Sequence, residues 1–83
     1  MRIDKFLKVS RLVKRRTVAG DLCRAGRVSV NGHPAKPGAR VEAGDFVELR
    51  LGSRLLRVEV LRVPATGGQD PSQLFRVVEE IAL

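Results

Sequence analysis

The first residues of the chain alternate apolar and polar positions with a helical period. Residues 3–9 predict a short amphipathic helix, because apolar side chains recur at the i, i+3 and i+4 spacing. Lys5 and Lys8 fall on its polar face. The residues of its apolar face are Ile3, Phe6 and Leu7.

A second helical pattern follows a polar junction at residues 11–16. Thr17 is the predicted N-cap, since its hydroxyl can accept a hydrogen bond from a first-turn amide, and the helix is expected to extend through Arg24. Gly26 is expected to end it in the left-handed conformation. Two helices this short are not stable alone, so they must pack on another element. The expected inner stripe is Val18, Leu22 and Ala25, flanked by Ala19 and Cys23.

From residue 28 onward the period of the pattern changes from 3.6 to 2. Residues 28–30 predict a strand that turns at Asn31 and Gly32, a strong hairpin signal. Residues 46–51 and 54–61 each place apolar side chains on one face and charged ones on the other, as in an antiparallel sheet covered on one side. The smaller features predicted between them are turns at residues 36–38 and 43–45 and a very short strand at Arg40 and Val41.

The end of the chain gives a weaker pattern. Residues 64–72 are rich in Gly, Pro and polar residues and predict a mobile loop. Residues 74–81 fit either a helix stripe or a strand, and their aromatic and β-branched residues favour a terminal strand. The predicted fold class is α+β, with two short N-terminal helices packed on a small, mainly antiparallel sheet. Residues 1–62 would form the domain, and residues 63–83 a loop and a short C-terminal extension.

Positive charge is concentrated at the start of the chain. The 83 residues carry a formal net charge of +7, and the first 27 hold nine basic and two acidic residues. The whole net charge therefore lies in the first third, which favours a polyanionic partner, with nucleic acid as the leading class. No apolar run approaches the roughly 20 residues that span a bilayer, so no membrane partner is expected. The predicted binding residues are Arg2, Lys5, Lys8, Arg11, Lys14, Arg15, Arg16 and Arg27.

The residue types on the predicted helices partly distinguish RNA from DNA as the ligand. The outer face of the second helix offers Gly20, Asp21 and Arg24, which are poorly equipped to read bases in the DNA major groove. Readers of single strands stack bases on aromatic rings, but the chain has three Phe, no Trp and no Tyr, and the core is expected to take all three. The remaining candidate is a folded RNA that is recognised by its backbone. We predict roughly 4 to 7 phosphate contacts and a slope of log K against log salt of about that size.

Candidates for catalysis or metal binding are few. His33 is expected in an exposed loop, Cys23 as a small buried group, and Glu48 and Glu59 on the solvated face of the sheet. We therefore predict a protein that is not an enzyme and that uses no cofactor or metal. The lone cysteine and the lack of a signal-peptide pattern predict a cytoplasmic location.

Two runs resemble a known family. AGRVSVNG (residues 25–32) and AGDFVEL (residues 43–49) follow two short helices with a basic junction. This arrangement resembles the RNA-binding domain named after small-subunit ribosomal protein S4, also called the alpha-L motif. The resemblance covers residues 1–62 and implies the two-helix and sheet fold of that domain.

The opening MRIDKFLKVSRLVKRRT is similar to that of stand-alone members of the family that act in bacterial ribosome quality control. It is also similar to a small heat-shock protein of the family that binds large subunits carrying a stalled chain. The resemblance implies a factor, expected to be a monomer, that binds large-subunit rRNA and peptidyl-tRNA on the stalled large ribosomal subunit and supports the alanine-tailing factor. It implies that Arg2, Arg11 and Arg16 face these RNAs. A general rRNA-binding or ribosome-assembly factor without a role in tailing stays open as an alternative.

Overall fold

Two short helices precede a five-stranded antiparallel sheet. The computed structural model describes residues 1–64 and 70–83. The helices and strands are α1 (Ile3–Val9), α2 (Arg16–Arg24), β1 (Val28–Val30), β2 (His33–Pro34), β3 (Phe46–Leu51), β4 (Arg54–Val60) and β5 (Phe75–Ala82). The strands lie in the order β2-β1-β3-β4-β5, with every neighbouring pair antiparallel. The predicted α+β class is confirmed.

The hairpin between β1 and β2 has the predicted turn. Asn31 and Gly32 have φ values of 50° and 82°, and Val30 pairs with His33 across the turn. Asparagine and glycine tolerate this left-handed region better than other residues, which is why the pair forms a two-residue hairpin loop. His33 is exposed as predicted, although it lies in the short strand β2 rather than in a loop.

The core forms between α1 and the inner face of the sheet. Phe6 and Leu7 are fully buried on α1, as are Leu49 of β3 and Val58 of β4. The helical spacing of the first pair and the period-two alternation of the second direct these side chains into one cluster. Burial of apolar surface of this kind contributes about 25 cal/mol per Å² to stability, and it holds α1 on the sheet.

The start of α2 differs from the prediction. Thr17 is not the N-cap: the helix begins at Arg16, and Arg15 is the N-cap residue without a side-chain hydrogen bond. The first helical hydrogen bond runs from the Ala19 N–H to the Arg15 carbonyl over 3.0 Å. Arg16, the first residue of α2, is joined to Asp4 of α1 by an ion pair, and Thr17 therefore lies inside the first turn of the helix.

The buried side of α2 also differs from the predicted stripe. Val18 is 44% exposed and Ala25 is exposed, whereas Ala19 and Cys23 are buried and Leu22 is half-buried. The small side chains of Ala19 and Cys23 let the two helices approach closely. Size rather than hydrophobicity thus decides which face of α2 turns inward.

The outer face of the sheet carries a phenylalanine that was expected in the core. Phe46 is half-buried there, with the Arg57 guanidinium 5.2 Å from its ring centroid in a cation–π contact. The alternation along β3 explains this, because Phe46 shares its face with Glu48. On the same face Glu59 pairs with Arg76 over 2.6 Å. The predicted carboxylates of the outer face are therefore half-buried partners of arginines.

The C-terminal part forms the last strand of the sheet. The predicted terminal strand is confirmed as β5, and Leu74 just before it is buried. Residues 65–69 of the predicted loop lie outside the described residues, and Pro71–Gln73 form a 3-10 turn instead of a loop. The Ser72 N–H and hydroxyl donate to Asp70, and these hydrogen bonds lower the pKa of that carboxyl. Among the helices of the described residues, none has the length and apolar character to cross a bilayer.

A mid-helix glycine offers a test of the packing of α2. We expect Gly20→Ala to raise the free energy of unfolding by about 0.5–1 kcal/mol, since glycine is costly inside a helix. The three atoms nearest to the added Cβ all belong to the end of the Arg24 side chain, the first at 3.1 Å, and this side chain can move. Chemical denaturation measures the effect.

Gly26 provides the matched control. Its φ of 74° lies in the left-handed region, so we expect Gly26→Ala to lower the free energy of unfolding by about 1 kcal/mol. Equal changes in the same direction for both variants would contradict this account of α2 and its C-terminal stop.

Candidate RNA-binding surface

A buried carboxylate joins two of the predicted binding residues. Asp4, on α1, is 6% exposed. Its Oδ2 lies 3.2 Å from an Arg2 guanidinium nitrogen and 3.5 Å from the Arg16 Nε. The side chains of Arg2 and Arg16 remain about half exposed. Asp4 therefore fixes two guanidinium groups from separate segments side by side while leaving both open to solvent.

The loop before β3 brings a further basic residue to this place. Arg40 forms an isolated antiparallel bridge with Arg2. The Ile3 N–H donates to the Ala39 carbonyl over 2.7 Å, and the Val41 N–H donates to the Met1 carbonyl over 2.9 Å. Residues directly opposite in such a bridge point to the same side, so Arg40 adds charge beside Arg2.

Sequence reasoning missed Arg40 and the exposed Lys36 of the same loop. The charge count along the chain ends the basic cluster at residue 27, and the very short strand expected at Arg40 is only a bridge to Arg2. No local pattern indicates that this loop returns to the N-terminus. The contact between them depends on backbone hydrogen bonds between distant residues.

The junction between α1 and α2 carries further positive charge on a turn whose backbone is fixed by buried residues. Ser10 and Val13 are buried, and the Val13 N–H donates to the Leu7 carbonyl over 3.0 Å. Arg11 has a φ of 62°, in a region that non-glycine residues seldom adopt. The buried residues on both sides hold this backbone in place, and three basic side chains of the junction are exposed. These are Arg11, Lys14 and Arg15.

The other predicted residues fall into two groups. Lys5 and Lys8 are exposed on α1 and adjoin the junction. Arg27 lies beyond the far end of α2, roughly 13 Å along the helix from Arg16, and its carbonyl accepts the Arg50 N–H. The structure therefore does not bring Arg27 to the others. We use "the basic surface" below for Arg2, Lys5, Lys8, Arg11, Lys14, Arg15, Arg16, Lys36 and Arg40.

The electrostatics of the basic surface favour an anionic ligand. Asp4 is the only acidic residue that forms an ion pair there in the described part of the chain. Like charges placed opposite one another, as Arg2 and Arg40 are, repel unless an anion lies between them. Guanidinium groups bind phosphate through two parallel hydrogen bonds, so a phosphate backbone suits this arrangement.

The candidate groups for other chemistry have structural roles. Cys23 is 5% exposed on the inner side of α2, as predicted. Burial raises the pKa of the Cys23 thiol, and the Asp4 carboxylate acts in the same direction. Within residues 1–64 and 70–83, no three His, Cys, Asp or Glu side chains are grouped closely enough to hold a metal ion.

Thiol reactivity tests the burial of Cys23. We expect iodoacetamide to modify the native protein at pH 8 about tenfold or more slowly than a free thiol, and at the normal rate in urea. Because folding favours the neutral thiol, its contribution to stability is complete below the ordinary pKa of 9.0 and is lost as pH rises through the raised value. Rapid modification under native conditions would show that α2 does not cover this side chain.

Comparison with known proteins agrees with this fold and surface. A family model described as S4 domain matches residues 1–47, which include both helices and the first hairpin. The chain belongs to the S4 domain family.

Individual relatives narrow the assignment. The RQC P-site tRNA stabilizing factor of Halalkalibacterium halodurans is 48% identical over 81 residues, which are 96% of this chain and 92% of the relative. The protein of the same name from Bacillus subtilis (strain 168) is 41% identical, over 96% of this chain and 94% of its own. Within the S4 domain family, the chain belongs with the RQC P-site tRNA stabilizing factors. The resemblance to stand-alone quality-control factors is confirmed.

A solved structure supports the fold independently. The trimeric structure of Vibrio cholerae Heat Shock Protein 15 superposes with a TM-score of 0.86 and 30% identity. The match covers 94% of this chain and 81% of the other. The second expected relative, a small heat-shock protein, is therefore also found.

Proposed function

We propose that this chain is a non-catalytic, cytoplasmic factor that binds large-subunit rRNA and a peptidyl-tRNA on stalled large ribosomal subunits. Its binding would stabilise the tRNA and so support alanine tailing of the nascent chain. The names of the relatives, RQC P-site tRNA stabilizing factor, support the tRNA as one ligand. The basic surface supports RNA as the chemical class of both ligands.

The arrangement of Arg2, Asp4 and Arg16 carries this proposal. Two guanidinium groups held on one buried carboxylate lose little conformational freedom when they bind phosphate. The same rigid body carries Arg11 on its junction turn. A compact basic surface that contacts two RNAs at once links their binding, because the contact to each is strongest where the other is already in place.

The proposal is tested by sedimentation of tagged protein from growing cells through a sucrose gradient, with sequencing of the RNA in its peak. We expect comigration with large subunits that still hold tRNA. A variant with Arg2 and Arg16 both changed to Gln should remain near the top of the gradient.

Other outcomes would contradict parts of the proposal. Comigration with tRNA-free precursor particles would show an assembly factor instead. Slow sedimentation of the unchanged protein, away from all ribosomal particles, would rule out the ribosomal role and leave RNA binding alone.

A further inference from the structure

The two edges of the sheet differ in length and chemistry. β2 is two residues long and contains Pro34, which has no N–H to offer a partner strand. β5 forms the opposite edge with eight residues and contains neither proline nor lysine. Long edge strands pair with an added strand unless a device such as proline, lysine or a bulge blocks them, and of these three β5 has the bulge alone.

The open edge of β5 still has backbone groups to offer. The Leu61 N–H donates to the Leu74 carbonyl, and the Leu83 N–H donates to the Ser53 carbonyl, over 2.8 and 2.6 Å. Hydrogen-bonded and non-bonded pairs alternate between antiparallel strands, and the register between β4 and β5 shifts once in the middle. Counting this alternation from Leu74 at one end and from Leu83 at the other, the N–H groups of Val77 and Glu80 point away from β4.

Apolar side chains also collect on β5 and the residue after it. Six large apolar residues are exposed in the described part of the chain, and four of them lie between residues 77 and 83. They are Val77, Val78, Ile81 and Leu83, at 49%, 42%, 40% and 59% exposure. The α2 helix contacts β1, which is separated from β5 by the two strands β3 and β4, so α2 does not cover this edge.

The charge of β5 is opposite to that of the basic surface. Glu79 and Glu80 are the only adjacent acidic pair in a chain of net charge +7. Glu80 pairs with Arg54 over 2.8 Å, whereas Glu79 has no ion pair within 4.0 Å in residues 1–64 and 70–83. The Arg57 opposite Glu79 is turned toward Phe46 and Glu48 instead.

From these features we propose that β5 docks an extended segment of a partner protein in which apolar residues alternate with Lys or Arg. The segment would add a sixth strand to the sheet through main-chain hydrogen bonds. Its apolar side chains would cover Val77, which lies opposite the buried Val58, and its basic side chains would pair with Glu79 on the other face of the sheet. This docking leaves the basic surface free, so partner and RNA bind together.

A second copy of the chain fits this edge less well. Two copies would bring together net charges of +7 each. The register shift at Val78 also interrupts the regular pairing that two identical strands would need.

The test is an NMR titration of the ¹⁵N-labelled full chain with the capped peptide VKVKVKV. Controls are VEVEVEV, which reverses the charge, and VKPKPKV, which keeps the three lysines but cannot pair as a strand. We expect VKVKVKV to shift the β5 amides, most of all Val77 and Glu80, and to slow their hydrogen exchange. Glu79→Lys should weaken its apparent affinity about fivefold, whereas Glu42→Lys, a charge reversal on an exposed loop residue, should not.

Three results would overturn the proposal. An equal response to VEVEVEV at β5 would show that this edge does not select a partner with basic side chains. An equal response to VKPKPKV would show attraction between charges without strand pairing. Concentration-dependent shifts of β5 in the protein alone, with a dimer in sedimentation equilibrium, would make a second copy the occupant. RNA binding by the Glu79→Lys variant should be unchanged, which separates this proposal from the function of the basic surface.

Discussion

Changing Arg2 and Arg16 together to glutamine should weaken binding to a folded tRNA by about 100-fold, from two charge-assisted contacts of about 1.4 kcal/mol each. The two side chains are half exposed and already held on Asp4, so each can bind phosphate without further ordering. The slope of log K against log salt should fall by about 2, because two fewer counterions are released. Fluorescence anisotropy over a range of salt concentrations measures both quantities.

The matched control removes the same charge from the sheet. Arg54 and Arg76 pair with Glu80 and Glu59 on β4 and β5, and changing both to glutamine should weaken tRNA binding less than about threefold. Screening over about 8 Å at physiological salt limits the effect of charges that do not touch the RNA. Equal losses in the two double variants would mean that net charge alone determines affinity and that the geometry around Asp4 has no role.

The order of the elements could be predicted from the sequence because each depends on a local pattern. The i, i+3, i+4 spacing of α1 and the period-two alternation of β3 survive in the fold, since both direct apolar side chains to one side. Asn31 and Gly32 specify the first hairpin for an equally local reason, their tolerance of positive φ. Local signals of this kind need no knowledge of the rest of the chain.

The orientation of α2 could not be predicted in this way. Val18 is the larger apolar residue, yet it is exposed while Ala19 is fully buried in the core. The distance between the two helices decides which residue fits, and that distance depends on tertiary packing. Phe46 shows the opposite case, because the alternation of β3 correctly assigns it to the charged face and only its hydrophobicity suggested the core.

Part of the candidate site was accessible from charge and part was not. Clustering along the chain identifies Arg2 and Arg16, but only the fold shows that they meet at Asp4. Arg40 joins them because its loop forms hydrogen bonds with the N-terminus. Proximity in sequence also adds a residue that does not lie with the others, since Arg27 follows the far end of α2.

Replacing Phe6 by alanine should lower the free energy of unfolding by about 3–5 kcal/mol, the cost of a large cavity in the core. Phe6 is fully buried and is the largest side chain in the contact between α1 and the sheet. A domain of 83 residues has a total stability of about 4–12 kcal/mol, so this single change removes much of it. Thermal unfolding followed by circular dichroism should show a decrease in Tm of roughly 15–30 °C.

The effect on RNA binding follows from the length of the helices. α1 and α2 have seven and nine residues, too few to remain helical without the sheet beneath them. Near the new Tm, Phe6→Ala should therefore lose tRNA binding together with its helical signal, although no charged residue has changed. Val18→Ala is the matched control, since Val18 is apolar, helical and 44% exposed, and it should cost less than about 1 kcal/mol and leave binding intact. Binding that persists after the helices of Phe6→Ala have melted would mean that a flexible basic segment is sufficient, and that the fold does not position the charges.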